Sequence, residues 1–170
     1  MAAELDSEKR RVFTRPDGVP RDPLALLVVH PAIAPPEYAT RLRHLISAAL
    51  TVTDSTDDPP GLDPLPPWFT RFDEVAYAAN RRYSEARAEE PWTIREWVGC
   101  FAPTRRQWSW WDLTLRTDGT VAVWADTLGE PHPACEELWW ALYVSGARAV
   151  DPLTLTKVSA WQAEARGPNP

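Results

Sequence analysis

Glycine, cysteine and histidine are scarce in this sequence, with seven, two and three residues among 170. So few glycines leave little room for a phosphate-cradling loop, and no P-loop, G-x-G-x-x-G or G-x-S-x-G motif occurs. Two cysteines, Cys100 and Cys135, are too few for a disulfide framework, so we expect reduced thiols and a cytoplasmic location. The usual signatures of nucleotide-binding proteins and serine hydrolases are therefore missing.

Long apolar runs and a surplus of cationic side chains are also absent. No run approaches the roughly 20 residues that span a bilayer, and the N-terminal residues mix acids and bases where a signal peptide would need an apolar segment. The net charge is −6 and the isoelectric point is near 5.1, whereas nucleic-acid binding relies on cationic charge to neutralise phosphates. We therefore expect neither a membrane nor a nucleic acid as a partner.

Tryptophan and proline are abundant instead, with ten and eighteen residues. Trp buries a large area and Pro stiffens connections, so both favour an ordered domain. The turn signals at 16–20 predict that residues 1–23 form a polar N-terminal arm without a stable helix. Residues 24–165 are then a single domain with a Pro- and Asp-rich internal loop at 51–67, and residues 166–170 form a tail.

Hydrophobic periodicity predicts an α+β fold, in which a Trp-rich antiparallel sheet packs against about three helices. Helices are expected where apolar residues recur on one side of the chain, at 37–50, 68–86 and 133–145, with Gly146 ending the last one. The strands comprise a buried segment at 24–29, a three-stranded meander within 92–127 formed by residues 92–101, 108–117 and 120–127, and an edge strand at 149–158.

The clearest local feature is a hairpin across Thr117-Asp118-Gly119. A two-residue loop would mix apolar and polar side chains on both faces of the hairpin. A three-residue loop, with Gly119 in the left-handed conformation, gives one apolar face instead. We therefore predict the three-residue loop, which sets Leu115 opposite Val121, Leu113 opposite Val123 and Trp111 opposite Ala125.

The same register places three indoles and two carboxylates on the other side of the hairpin, a surface that we call the Trp/Asp face: Trp108, Trp110, Asp112, Trp124 and Asp126. Trp is enriched at binding hot spots and can hold cations or sugars against its ring, which favours a recognition face. Alternatively, a helix covers the indoles as a second packing layer, and the carboxylates accept indole N–H groups or pair with Arg. The sequence does not decide between these interpretations.

Two charged segments offer further contacts to a partner. Arg105 and Arg106 lie in the predicted turn between the first two strands of the meander. They suit a phosphate or an acidic partner, although a solvated hairpin tip explains them as well. The loop at 51–67 has the opposite character: it could present acidic charge to a basic partner, or it could only solubilise the chain.

The most reactive side chains gather just before the last predicted helix. Cys135 is expected in its first turn, where the helix dipole favours a thiolate, and His132 lies three residues earlier as a candidate base. Glu136 and Glu137 follow directly and oppose a thiolate. No metal site is predicted, because His132 and Cys135 supply only two of the four ligands of a structural zinc.

Together these features favour a non-catalytic binding protein of a bacterial cytoplasm, of an accessory or immunity type. It would engage a protein partner through the Trp/Asp face or the acidic loop. The alternative is a small enzyme or ligand-binding domain with a pocket near His132, Cys135 and Asp126. Neither interpretation requires a cofactor, and the sequence does not indicate an oligomeric state.

Overall fold

An α+β fold, as predicted, is seen in the computed structural model, which describes residues 2–54, 60–88 and 92–166. One antiparallel sheet of five strands separates two apolar layers. The strands are β1 (Leu24–Pro31), β2 (Ser109–Leu115), β3 (Val121–Asp126), β4 (Ala147–Val150) and β5 (Thr154–Thr156). The described residues form seven helices instead of about three: α1 (Ala2–Phe13), α2 (Pro35–Thr53), α3 (Pro67–Thr70), α4 (Glu74–Arg87), α5 (Ile94–Cys100), α6 (Glu136–Val144) and α7 (Val158–Ala165). None of these helices is long and apolar enough to cross a membrane.

The strand β1 lies in the middle of the sheet. It was predicted as a buried strand from its apolar sequence, and Leu24, Leu27 and Val29 have no exposed surface. β3 pairs with one side of β1 and carries β2 on its far side, while β4 and β5 share the other side of β1. Pro152, which has no N–H to donate, lies between β4 and β5. The predicted edge strand at 149–158 is therefore present in two pieces.

The β2–β3 hairpin has the predicted three-residue loop, and Gly119 takes the left-handed conformation with a φ of 83°. Two of the three predicted pairs are confirmed: Leu115 lies opposite Val121, and Leu113 lies opposite Val123. This half of the hairpin follows from turn chemistry and from the alternation of apolar residues, which both act locally.

The third predicted pair, Trp111 with Ala125, is wrong. A β-bulge between Trp110 and Asp112 sets Trp110 opposite Ala125. An extra residue in one strand reverses the facing of the side chains beyond it. Trp110 therefore shares a face with Leu113, and Trp111 lies on the opposite face.

The two apolar layers are both rich in aromatic rings. In the larger layer, neighbouring rings pack at tilted or edge-to-face angles with centroids 4.6 to 5.8 Å apart: Phe69, Trp97, Phe101, Trp108 and Trp140. The smaller layer lies on the other face of the sheet beneath α7. Its Trp111 and Trp161 rings meet edge to face at 5.5 Å.

The N-terminal segment contains a helix, so the prediction of a polar arm is wrong for residues 2–13. α1 packs against β2 and α2 and buries Leu5, Glu8 and Val12. These residues are three and four positions apart, so they share one helix face. Because only two of them are apolar, the pattern is weak in the sequence, and tertiary contacts stabilise the helix.

The predicted strand at 92–101 is also wrong, because residues 94–100 form α5. A capping box begins this helix: the Thr93 hydroxyl accepts a hydrogen bond from the Glu96 N–H at 3.3 Å, and the Glu96 carboxylate accepts one from the Thr93 N–H at 3.2 Å. Trp97 and Val98 turn into the core. The meander is therefore reduced to the β2–β3 hairpin.

The predicted helix over 68–86 is divided into α3 and α4. Phe72 takes a left-handed φ of 43°, which ends the first helix. Asp73 then caps α4 by accepting a hydrogen bond from the Ala76 N–H at 2.8 Å. The same carboxylate binds both terminal nitrogens of Arg41, at 2.7 and 3.0 Å, and so ties α4 to α2.

The predicted internal loop begins later than expected. α2 continues to Thr53, so the first residues of the 51–67 segment are helical. Residues 55–59 lie outside the described residues, as do residues 167–170 of the predicted tail. Beyond that gap Leu65 is buried in the larger apolar layer, which anchors the end of the loop to the core.

The last predicted helix, 133–145, begins at Glu136 with Cys135 as its N-cap residue. All residues from Glu137 to Val144 are buried, as the apolar sequence of the helix predicted. Gly146 ends the helix as predicted, with a φ of 116° and a hydrogen bond from its N–H to the Tyr143 carbonyl at 2.8 Å. This turn leads directly into β4.

Candidate functional site

The Trp/Asp face is not exposed. The exposed fractions of Trp108, Trp110 and Trp124 are 1%, 0% and 1%, and Asp112 and Asp126 are buried as well. This burial contradicts the interpretation as an open recognition face and agrees with the alternative of packing layers. The β-bulge divides the set, since Trp108 and Trp110 enter the larger layer while Trp124 enters the smaller one.

Glu137 accepts hydrogen bonds from two indoles of the larger layer. The Trp108 indole donates to the Glu137 carboxylate at 2.8 Å, and the Trp97 indole donates to the Glu137 backbone carbonyl at 2.8 Å. Burial raises the pKa of Glu137 above its ordinary value, although the hydrogen bond from Trp108 and the positive charge of Arg106 oppose this shift. Glu137 therefore has a structural role within the Trp cluster.

Asp112 has a similar role in the smaller layer. Its carboxylate accepts hydrogen bonds from the Trp161 indole and from the Leu113 N–H, both at 2.8 Å. Burial raises the pKa of Asp112. The Trp124 indole donates to the Thr114 hydroxyl at 3.2 Å. These bonds match the packing alternative, in which carboxylates accept indole N–H groups.

Arg106 is not part of a solvated hairpin tip. It is buried and binds Glu8 of α1 through two hydrogen bonds, at 2.6 and 2.8 Å. Its Nε also donates to the Phe101 carbonyl at 2.8 Å. Arg105, by contrast, is exposed. The two cations therefore do not form a common surface, because Arg105 faces solvent and Arg106 is bonded to other residues inside the fold.

The β2 edge of the sheet is closed by side chains. Glu8 accepts a hydrogen bond from the Trp110 N–H at 2.6 Å, and Arg11 donates to the Trp110 carbonyl at 3.1 Å. Arg43 of α2 donates to the Leu113 carbonyl at 3.3 Å. Covering the polar groups of an edge strand prevents another chain from pairing with it.

The opposite edge of the sheet is formed by β4 and β5, and these two strands differ in how their outer backbone groups are bonded. At β4, Arg82 of α4 donates to the Ala147 carbonyl at 3.0 Å. At β5, Thr154 and Thr156 lie opposite Leu26 and Leu24 of β1.

The backbone groups of successive residues in β1 point alternately to its two neighbouring strands, and this shows which backbone groups of β5 point outward. Val28 accepts a hydrogen bond from the Asp151 N–H at 2.8 Å, so alternate residues of β1, including Leu24 and Leu26, turn their backbone groups to this edge. The N–H and C=O of Leu155 consequently point outward. None of the described residues bonds them.

A groove of about 560 Å³, which we call the edge groove, lies beside β5 on the face that carries α6. Polar and apolar groups contribute nearly equally to its surface, and its larger apolar residues are Pro131, Pro133, Trp139, Tyr143, Leu153 and Leu155. Arg87 lies over the Trp139 ring at 4.8 Å and is paired with Glu136 at one side of the groove. His132 and Cys135 also line the groove, so the structure brings these two predicted residues together.

The Cys135 thiol is poorly suited to nucleophilic chemistry. Its exposed fraction is 4%, and burial together with the charges of Glu137 and Glu136 raises its pKa to about 12. His132 is exposed, and no hydrogen bond between these two side chains is found among the described residues. The thiol is therefore protonated at neutral pH, and the pair does not form an activated nucleophile.

Asp126, the third residue of the predicted alternative pocket, lines a different cavity. This cavity has a volume of about 590 Å³ and lies between α1, the segment before β2 and the end of β3. We call it the Arg11–Asp126 cavity, after two of the charged residues that line it. Arg106 and Trp108, also predicted site residues, line it too. The expected grouping of Asp126 with His132 and Cys135 is thus wrong.

Sequence reasoning missed the contribution of α1 to this cavity. Ser7, Glu8 and Arg11 line it, although residues 1–23 were expected to form an arm. The available signal was the spacing of Leu5 and Val12, two turns apart in a segment rich in helix-forming residues. A buried Glu on the same face obscured it.

Neither the search for a metal site among the described residues nor the comparison with known proteins assigns a function. Within the described part of the chain, no three His, Cys, Asp or Glu side chains come together as a metal site. Comparison with protein families, curated proteins and solved structures found no match for this chain.

Proposed function

We propose that this protein is a non-catalytic binding protein, of an accessory or immunity type, that holds an extended segment of a protein partner against β5. The observation that carries the proposal is the contrast between the two edges of the sheet. Side chains from α1 and α2 close the β2 edge, whereas the outward N–H and C=O of Leu155 meet no group among the described residues. Addition of a strand to such an edge is a general mode of peptide recognition.

The edge groove supplies a site for the side chains of such a segment. Leu155 lies opposite Ala25, whose side chain belongs to the larger layer, so Leu155 faces the same side as α6. A strand paired with β5 would direct every second side chain to that side. Because Trp139, Tyr143 and Leu153 line the groove there, we expect the partner segment to carry apolar residues at alternate positions.

The length of β5 favours a short segment over pairing between copies of this chain. β5 has three residues, and Pro152 interrupts the edge before it. Short strands and prolines are features that deter open-ended pairing of sheet edges. They still allow two backbone hydrogen bonds to Leu155, with the groove adding side-chain contacts.

The environment of Cys135 supports a binding role over a catalytic one, since a buried, protonated thiol is a poor nucleophile. The second interpretation, a small enzyme or ligand-binding domain with one pocket near His132, Cys135 and Asp126, is less well supported, because His132 and Cys135 line the edge groove whereas Asp126 lines the Arg11–Asp126 cavity. Cys100 and Cys135 are both free thiols, which suits the proposed cytoplasmic location.

The proposal is tested by selecting linear peptides from a random display library on the full chain and measuring their affinity by fluorescence polarisation. Leu155→Pro removes the outward N–H without breaking a bond to β1, and Leu155→Asp places a charge in the groove. Leu115→Asp is the matched control, because Leu115 and Leu155 are both 42% exposed and Leu115 ends β2 on the hairpin.

We expect selected peptides with alternating apolar residues to lose affinity about 10-fold or more for both Leu155 variants, as expected when backbone hydrogen bonds and apolar contacts are removed. Their affinity for Leu115→Asp should match that of the unaltered chain. N-methylation of the peptide backbone should abolish binding as well. Failure to select any such peptide, or equal binding to Leu155→Pro, would overturn the proposal.

A further inference from the structure

The Arg11–Asp126 cavity is separate from the edge groove and has its own chemistry. We infer that it binds a small zwitterion, of which a free α-amino acid is the simplest example. Arg11 would hold the carboxylate of the ligand, and Asp126 would hold its ammonium group. The inference does not depend on the proposed protein partner, because no described residue lines both sites.

The charges that line this cavity are balanced. Glu8 and Arg106 bind each other through two hydrogen bonds and are therefore engaged within the protein. Arg11 and Asp126 also line the cavity, but they form no ion pair with each other. Glu4 and Arg21 line the cavity too, so its surface carries several cationic and anionic groups. A cavity that presents charges of both signs at separate positions suits a ligand carrying both opposite charges.

Arg11 is held in place for this role. Its Nε donates to the Trp110 carbonyl at 3.1 Å, and its Nη1 donates to the Ser7 hydroxyl at 3.0 Å. The guanidinium lies over the Trp111 ring at 5.0 Å. Its Nη2 donates to none of the described residues, and Arg retains its charge at neutral pH. A positioned guanidinium with an unused N–H group is a suitable carboxylate donor.

Asp126 supplies the opposite charge. Its exposed fraction is 8%, and its Oδ1 accepts a hydrogen bond from the Leu128 N–H at 2.8 Å. Its Oδ2 accepts none from the described residues. Because this oxygen is not one of the buried atoms without a partner, it is accessible and can accept a hydrogen bond from the ammonium group of a ligand.

The rest of the lining suits an aliphatic or aromatic side chain. Leu5, Trp108 and Leu128 line the cavity, while Ser109 and Thr104 add hydroxyl groups. The volume of about 590 Å³ is within the range of small-molecule pockets, which are mainly apolar with a few placed polar groups. An amino acid fits this combination of an apolar surface with separate cationic and anionic groups.

Isothermal titration calorimetry of the full chain tests the inference with each of the standard L-amino acids. If leucine binds, the matched probes are 4-methylpentanoate, which lacks the ammonium group, and 3-methylbutylamine, which lacks the carboxylate. Asp126→Asn removes the charge while its amide oxygen still accepts the Leu128 N–H, so the fold should survive. Arg11→Gln tests the carboxylate contact. Asp6→Asn and Arg10→Gln, both exposed on α1, are the controls.

We expect at least one amino acid to bind, and its single-charge analogues to bind about 10- to 100-fold more weakly. Asp126→Asn and Arg11→Gln should each lose affinity by a similar factor, whereas both controls should retain it. If Arg11→Gln does not fold, the Asp126→Asn result decides. The inference is overturned if no amino acid binds, if an analogue binds as tightly as the amino acid, or if Asp126→Asn leaves the affinity unchanged.

Discussion

Glu8 and Arg106 form a buried ion pair that joins α1 to the segment before β2, through bonds of 2.6 and 2.8 Å between their terminal atoms. The two residues are 98 positions apart in the sequence. Glu8 also accepts the hydrogen bond from the Trp110 N–H at the β2 edge. One carboxylate therefore docks a helix, neutralises a buried cation and closes a sheet edge.

Removing this carboxylate should destabilise the fold strongly. Glu8→Ala leaves the Arg106 guanidinium buried without its counter-charge, and breaking a buried pair in this way costs about 3–5 kcal/mol. Asp6→Ala, on the exposed side of the same helix, should change the free energy of unfolding by no more than about 0.5 kcal/mol. Urea denaturation followed by Trp fluorescence measures both. A Glu8→Ala variant as stable as Asp6→Ala would show that α1 is not docked in solution.

Two buried indoles differ in whether their N–H groups are bonded. Trp108 donates to Glu137, whereas the Trp110 Nε1 is buried and bonds to none of the described residues. Trp→Phe removes a similar volume at both positions, but only Trp108→Phe leaves a buried carboxylate without its donor. Trp108→Phe should therefore destabilise the fold by about 1–3 kcal/mol more than Trp110→Phe. Chemical denaturation of the two variants gives the difference, and equal losses would contradict the assigned role of Glu137.

The parts of the fold that were predictable from the sequence are those set by local rules. The apolar run of β1 and the Gly119 loop give the same answer in the sequence and in the structure. The β-bulge was not predictable, because Trp110 and Trp111 are adjacent and either one can supply an apolar side chain to either face. Only packing against α1 and α7 distinguishes the two registers.

The candidate sites depend on tertiary arrangement to a greater extent. His132 and Cys135 are close in sequence, so their common groove was predictable. The free edge at Leu155 was not predictable, because no single segment of the sequence determines the order of the strands in the sheet. Glu8 and Arg11 were missed for a related reason: a charged residue on a helix is expected to face solvent unless its distant partner is known.

The stability of the fold should depend on pH through Glu137. Burial raises its pKa in the folded state, so between its ordinary pKa and the raised value the folded state binds more protons than the unfolded state. Its contribution to stability therefore falls as the pH rises through this interval. Glu137→Gln keeps an acceptor for the Trp108 indole but cannot ionise. The stability of this variant relative to the unaltered chain should increase from acidic to neutral pH.

Asp73 provides a control of opposite sign. Its hydrogen bonds from Arg41 lower its pKa, so its contribution is present above its ordinary pKa and is lost as the pH falls through the lowered value. The loss caused by Asp73→Asn should shrink as the solution becomes more acidic. Urea denaturation over a series of pH values measures both variants. Parallel pH profiles for Glu137→Gln and the unaltered chain would contradict the effect of burial on Glu137.

Thiol chemistry separates the binding and catalytic interpretations. Cys135 is 4% exposed with a pKa raised to about 12, while Cys100 is partly exposed and its pKa is raised chiefly by burial. A neutral-pH titration of the native protein with a chromogenic disulfide should therefore modify Cys100 first. Cys100→Ser should leave a chain that reacts only as fast as it opens, because a protonated, covered thiol is not attacked directly.

The effect of His132 on the reactivity of Cys135 distinguishes the binding interpretation from the catalytic one. His132→Ala should leave the slow rate of Cys135 unchanged, since no hydrogen bond joins the two side chains among the described residues. In a catalytic pair, the imidazole would hold the thiol ionised, and the same change would slow its modification sharply. A rapid reaction of Cys135 that is lost in His132→Ala would thus favour the enzyme, and a uniformly slow one leaves the edge groove as a surface for binding.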